Sequence, residues 1–242
     1  MSQIAQKNLK IELDNLINRA ENIVITTHFR PDYDAICSAL ALYYYINKNW
    51  SQKKVRVTVE GQKNNTWEKL YNIERLEWVE NLGAGVGECD LLILTDANNW
   101  ERATTRPETL PSYPKAKKVC IDHHQTEGND KFDIKHVDKT AAAATQIIAE
   151  ELFEDLTKIP IKVLEILLLG ILGDTGKFSF VTKKNARVLQ TAQRIIEAGD
   201  LKVEEVSKEF GKIDSKELEI IAKLLENTHF AKIENKPNIM YS

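Results

Sequence analysis

The sequence predicts an α/β fold: a mostly parallel central sheet flanked by helices, with a candidate metal site at the carboxyl ends of the strands. Three observations predict it. Four short runs are β-branched and continuously apolar, as strands buried on both faces of a parallel sheet are. Longer stretches of helical periodicity intervene between strand runs and follow them, the rhythm of a parallel sheet. Most of the strand runs finish on Asp or His, where open parallel sheets collect ligands.

In chain order, an amphipathic helical pattern comes first, with Ile4, Ile11, Leu13, Leu16 and Ile17 on its apolar side. "NIVITTH" (22–28) is the first strand run, and the helical pattern 34–48 follows with Asp34 as its expected cap. "KVRVTVEG" (54–61), "CDLLILTDA" (89–97) and "KVCIDHH" (118–124) are the other strand runs. Helices are then expected at 140–154 from Thr140, at 160–172 opened by Pro160, and at 183–198 closed by Gly199. Patterns near 201–210 and 214–228 read as a peripheral helical section. Residues 1–228 read as one domain, and 229–242 as a strand-like polar tail or linker towards a further domain.

Composition narrows the function classes. At 242 residues, 43% hydrophobic, 29% charged and a formal charge of −3, the chain is a folded globular protein without the basic excess of a long nucleic-acid tract. No apolar run is long enough to cross a bilayer, and the N-terminus lacks the apolar core of a signal peptide. Cys37, Cys89 and Cys120 are isolated, which fits neither a zinc site nor a disulfide framework and points to a reducing cytoplasm.

The chemistry gathers at strand ends: His28, Asp32 and Asp34; Asp96; Asp122, His123 and His124; and Asp174, after the apolar helix. Each alone is ordinary cap or turn chemistry. Together these carboxylates would repel one another unless cations neutralise them. Carboxylate and imidazole donors without thiolate suit Mn²⁺ or a related divalent ion. There are enough carboxylates for two ions with one bridging. Ions roughly 3.5–4 Å apart can generate a hydroxide and clamp a phosphoryl group, which is phosphoester hydrolysis.

"HFRPDYDAICS", "LTDANNWER", "IDHH" and "GILGDTGKF", spread over residues 28–178, resemble in order and spacing the signature segments of the DHH phosphoesterase family, in its nanoRNase/pAp-phosphatase-like branch. The resemblance implies a five-stranded parallel core and two divalent ions, Mn²⁺ by preference. His28, Asp32 and Asp96 would hold one ion. Asp34, Asp96, His123 and Asp174 would hold the other, with Asp96 bridging. His124 would face the substrate phosphate, Asp122 would orient the histidines, and Arg102 would clamp phosphate. Residues 1–228 would be the catalytic domain, acting on short oligoribonucleotides or pAp-like nucleotides by a two-metal hydroxide mechanism. Cleavage of cyclic or linear dinucleotides and RecJ-type single-strand exonuclease activity are the alternative activities; a nucleotide-binding module inactive as an isolated domain is the non-enzymatic one. Relatives of this kind often form homodimers.

The sequence departs from the family pattern at Tyr33 between the two aspartates, at Cys37, and at "TAAAATQ" (140–146); none of these is expected to touch a metal ligand. Nothing resembling the glycine-rich, histidine-bearing loop of the family's C-terminal DHHA1 domain occurs in the chain, so that domain is expected to be absent. Outside the motifs, His136 and His229 read as surface or loop residues. Lys177 could approach a phosphate or stand solvated, and Trp67, Trp78 and Trp100 could stack a nucleobase, although packing is the usual fate of tryptophan and only Trp100 sits near a motif.

Overall fold

The computed structural model describes residues 9–63, 70–109, 116–126, 128, 130–208, 210, 219–220, 222–223, 229–231 and 239–241. Ile4 and Trp67 lie outside them. The sheet contains β1 (Asn22–Thr26), β2 (Lys54–Glu60), β3 (Leu76–Val79), β4 (Leu91–Thr95), β5 (Lys117–Asp122) and β6 (Ile134–Val137). Their order is β3-β2-β1-β4-β5-β6, and every neighbouring pair is parallel. The four strand runs read from the sequence are β1, β2, β4 and β5. The resemblance implied five strands, and the sheet has six. "LEWV" and "IKHV" escape a hydrophobic-run reading because each is a four-residue edge strand mixing apolar and charged residues, and is largely half-buried.

The α-helices bounded at both ends within the described residues are α1 (Leu9–Arg19), α2 (Tyr33–Asn49), α3 (Leu82–Val86), α4 (Trp100–Ala103), α5 (Ala144–Glu151), α6 (Ile161–Asp174), α7 (Arg187–Gly199) and α8 (Val203–Ser207). Successive residues of a strand face opposite sides. Ile23 and Ile25 of β1 accordingly join the large core with Leu40, Leu42, Leu167 and Leu168, while Val24 joins a smaller one with Leu82, Val86, Leu92 and Leu94. Helix α2 packs on α6 and on the sheet, so both helices are apolar almost all round.

Several boundaries differ from expectation for local reasons. Asp32, not Asp34, caps α2, its carboxylate accepting the Ala35 N–H at 3.1 Å. Helix α5 begins at Ala144 rather than Thr140, because the Asp138 carboxylate accepts from the N–H and hydroxyl of Thr140 and makes a turn there. Helix α7 begins at Arg187, after an Asn185–Thr182 turn, and its left-handed cap is Asp200 at φ 47°, not Gly199. Only four residues within 214–228 are described, all of them helical. His229–Ala231 pairs antiparallel with Ile239–Tyr241. Among the described residues no helix is long and apolar enough to cross a membrane.

Strand order reverses about β1, which has β2 on one side and β4 on the other. That switch opens a crevice at the strands' carboxyl ends. His28 follows β1, Asp96 follows β4, and His123 and His124 follow β5.

Candidate metal centre

Three donor groups meet in that crevice, each with its ligand atoms within 4.8 Å of one another: His28, Asp32 and Asp96; Asp34, Asp96, His123 and Asp174; and Asp96, His123 and His124. Asp96 belongs to all three. It leaves β4 at φ 59°, a left-handed conformation uncommon for a buried non-glycine residue, and its side chain is 1% exposed. One carboxylate oxygen lies 3.4 Å from His28 Nε2 and the other 3.3 Å from His123 Nε2. His123 Nε2 also lies 3.0 Å from Asp174 and 3.8 Å from Asp34.

Local bonds aim these groups. His28 Nδ1–H donates to the Phe29 carbonyl at 3.0 Å, which leaves Nε2 as the free donor atom. Asp34 is held at the N-terminus of α5, accepting from Ala144 N at 2.5 Å, Thr145 N at 3.0 Å and Thr145 Oγ1 at 2.6 Å. Gly170 of α6 makes this possible, since a Cβ there would come within 2.6 Å of Thr145 Oγ1 and 3.0 Å of Asp34. His124 Nδ1–H donates to Asp122 at 2.7 Å, and Asn98 Nδ2 donates to the other Asp122 oxygen at 2.6 Å.

The electrostatics describe a site short of positive charge. Burial drives the Asp34 carboxyl well above its ordinary range, and the charges of Asp96 and Asp174 push it further. Asp174 rises through burial and the Asp96 charge, although His123, 3.0 Å away, pulls it down. Burial disfavours a charged His28, but Asp32 and Asp96 outweigh it and raise the imidazole to about 10. Burial opposes a charged His123 in the same way, and Asp174 and Asp96 raise it to about 11. Asp32 and Asp122 are held low, against burial, by His28 and His124 respectively.

A metal fits this donor set. His28 Nε2, His123 Nε2 and Asp96 Oδ1 are buried without a hydrogen-bond partner. Buried polar atoms are costly to leave unpaired, and three of them converging on one another mark where a cation belongs. Oxygen and imidazole donors fit a divalent ion of the Mn²⁺ type.

The comparison with known families decides the lineage. The DHH family, N-terminal domain, matches residues 22–171. The chain belongs to the DHH family. A probable bifunctional oligoribonuclease and PAP phosphatase NrnA of Streptococcus mutans (serotype c, strain ATCC 700610 / UA159) is 29% identical over 165 residues, 68% of this chain and 49% of that protein. The bifunctional oligoribonuclease and PAP phosphatase NrnA of Bacillus subtilis (strain 168) is 30% identical over 177 residues, 71% of this chain and 52% of that protein. The chain thus spans about half the length of these relatives. Among solved structures, an exopolyphosphatase-related protein from Bacteroides fragilis superposes with a TM-score of 0.77 at 18% identity, covering 95% of this chain and 68% of that one. A putative family II inorganic pyrophosphatase from Methanococcus jannaschii gives 0.55 at 19% identity, covering 77% and 59%. These two share the fold.

Within this DHH domain, the six residues expected to be metal ligands come together, with Asp122 and His124 beside them. Arg102 lies on α4. Its backbone carbonyl accepts the Phe29 N–H at 2.8 Å, while its guanidinium makes no hydrogen bond or ion pair among the described residues. "TAAAATQ" was expected to leave the ligands untouched, and instead Ala144 and Thr145 anchor Asp34. Tyr33 is accommodated because its Cβ lies against Gly173, with its ring edge-on to Phe210 at 4.5 Å. His136 is a half-buried residue of β6 whose Nε2 lies 3.2 Å from Glu151, not a loop residue. Asn98 went unread in the sequence, although its place two residues after Asp96 in "LTDANNWER" was the available signal.

Proposed function

We propose that residues 1–228 are the catalytic domain of a metal-dependent phosphoesterase that hydrolyses short oligoribonucleotides and the terminal phosphate of pAp-like nucleotides. The observation that supports it most is Asp96, a buried carboxylate common to three donor groups beside two imidazole nitrogens without partners. The names of the two NrnA relatives support the substrate class.

In this reading His28, Asp32 and Asp96 hold one divalent ion, Mn²⁺ by preference, and Asp34, Asp96, His123 and Asp174 hold the second. Bound there, the ions supply Lewis-acid polarisation of water and phosphate and cancel the carboxylate charge. The remaining work falls to the chain's own residues. The Phe29 carbonyl keeps His28 in the tautomer that presents Nε2. Asp122, itself fixed by Asn98, holds the His124 ring through Nδ1 and leaves Nε2 to face the substrate phosphate. Arg102, whose guanidinium has no partner among the described residues, clamps another phosphate oxygen. The α5 anchor holds Asp34 in place when a second charge enters.

The test is release of mononucleotide from a 5′-labelled RNA dinucleotide, and of phosphate from pAp, with Mn²⁺ and with Asp96→Ala as control. Turnover that disappears in a variant of unchanged circular dichroism is the expected result. Turnover that survives Asp96→Ala would sink the assignment.

A further inference from the structure

A cleft of about 790 Å³ lies beside the candidate metal centre, on the other side of the β1–α2 turn. Its volume is that of a small-molecule site. Phe29, Arg30 and Pro31 form one wall, and these three residues are bracketed in sequence by His28 and Asp32. Trp78 of β3 lines it as well, its ring lying against the backbone of Gly61, where a Cβ would meet the ring at 3.7 Å. The metal centre caps β1, β4 and β5; the cleft caps β1, β2 and β3. They share β1 and the turn after it.

We infer that this cleft receives the nucleobase of the nucleotide whose phosphate lies at the metal centre. Phe29 and Trp78 provide aromatic surface, and a base stacks on such surface whatever its sequence. Gln62 and Glu80 are exposed residues of the lining and offer amide and carboxylate groups to a base edge. Glu60 lies in the lining too, but its carboxylate is already taken by Thr104, Thr105 and the Leu82 N–H, so it stays a structural acid. The route from phosphate to base is short: Arg102 binds Phe29 through its backbone, and Thr105, three residues further on, lines the cleft. A phosphate held by the Arg102 guanidinium would sit at the boundary between metal centre and cleft.

This inference rests on the proposed phosphoesterase reading and deepens it, and binding separates the two. AMP and ribose 5-phosphate are titrated into the Mn²⁺-loaded protein by calorimetry. The expected result is that Trp78→Ala weakens AMP roughly tenfold, the loss of one base–aromatic stack, and leaves ribose 5-phosphate unchanged. Trp78→Phe keeps a ring and should restore most of the AMP affinity, which guards against a merely unfolded Ala variant. Equal affinity of the two ligands for the wild type, or an equal loss for both in Trp78→Ala, would overturn the cleft while leaving the phosphate site standing. Absence of binding by either ligand would overturn both readings. Adenine discrimination without any Mn²⁺-dependent turnover would support the cleft and remove the enzyme.

Discussion

Two acid-rich regions of this protein solve the same electrostatic problem in opposite ways. Around Arg187, Asp138 and Glu150 share one guanidinium at 2.6 and 3.1 Å, and Asp138 is held down to about 2. At the strand ends, Asp34 and Asp174 are driven upward, and the nearby imidazoles are pulled to about 10 and 11 because they are the positive charge at hand. The first region is balanced by the chain itself. The second is built so that the chain alone leaves it unbalanced, with buried donor atoms and no partner for them. Structural acids are paired, whereas acids meant for an external cation are gathered and left short of charge.

The largest effect should come from removing the shared carboxylate. Asp96→Ala should lower Mn²⁺-dependent turnover by about 10³-fold or more, since metal ions supply several kcal/mol of transition-state stabilisation. The metal-free variant should melt no lower than the metal-free wild type, because a buried like charge has gone. A drop of several degrees in scanning calorimetry would mean that the cluster is already balanced by its histidines, and the contrast with Arg187 would fail.

Next in size is the metal itself. Mn²⁺ at a hundred times its Kd should stabilise the protein by about 2.7 kcal/mol, raising Tm by roughly 5–10 °C for a chain of this size. The same shift is expected in Arg187→Ala, whose region has no use for the ion; a shift lost in that variant would couple the two regions. Thr145→Val comes after it. It removes the hydroxyl that donates to Asp34 at 2.6 Å, and loss of such a supporting bond typically costs about 10–100-fold in metal affinity. Mn²⁺ titration followed by electron paramagnetic resonance measures this directly, and an unchanged affinity would detach Asp34 from the metal.

The sequence revealed this contrast unevenly. The strand-end acids were legible because each follows an apolar run, so linear order alone places them at one edge of a parallel sheet. Arg187, Asp138 and Glu150 were not, because their meeting depends on how α7 packs against α5 and the turn before it, which no local pattern records. The same holds for Thr145 on Asp34, a contact across 111 positions that exists only because Gly170 lets α5 approach α6. The edge strands β3 and β6 were hidden for a different reason: a four-residue strand exposed along one side needs few apolar residues, and so leaves no run to read. Asp32 caps α2 in place of Asp34 because two acids with a single residue between them look alike until the chain's path after Pro31 is known.

The smallest expected effect lies at the balanced region and tests its sign. Burial alone would raise Asp138; bonds from Arg187 and Thr140 outweigh it and hold the carboxyl at about 2. A folded pKa below the unfolded one, near 3.9, contributes stability that is fully present above about pH 4 and is lost as pH falls through about 2. With Arg187 partly open to solvent, screening reduces the contribution of the pair to about 1 kcal/mol. Urea unfolding of wild type and Arg187→Ala should therefore differ by about that much at pH 7, with the gap closing between pH 4 and pH 2, with or without Mn²⁺. A gap that persists at pH 2 would assign the loss to the packed aliphatic stem of Arg187 rather than to its charge. A gap that depends on Mn²⁺ would mean that this arginine reports on the metal centre after all.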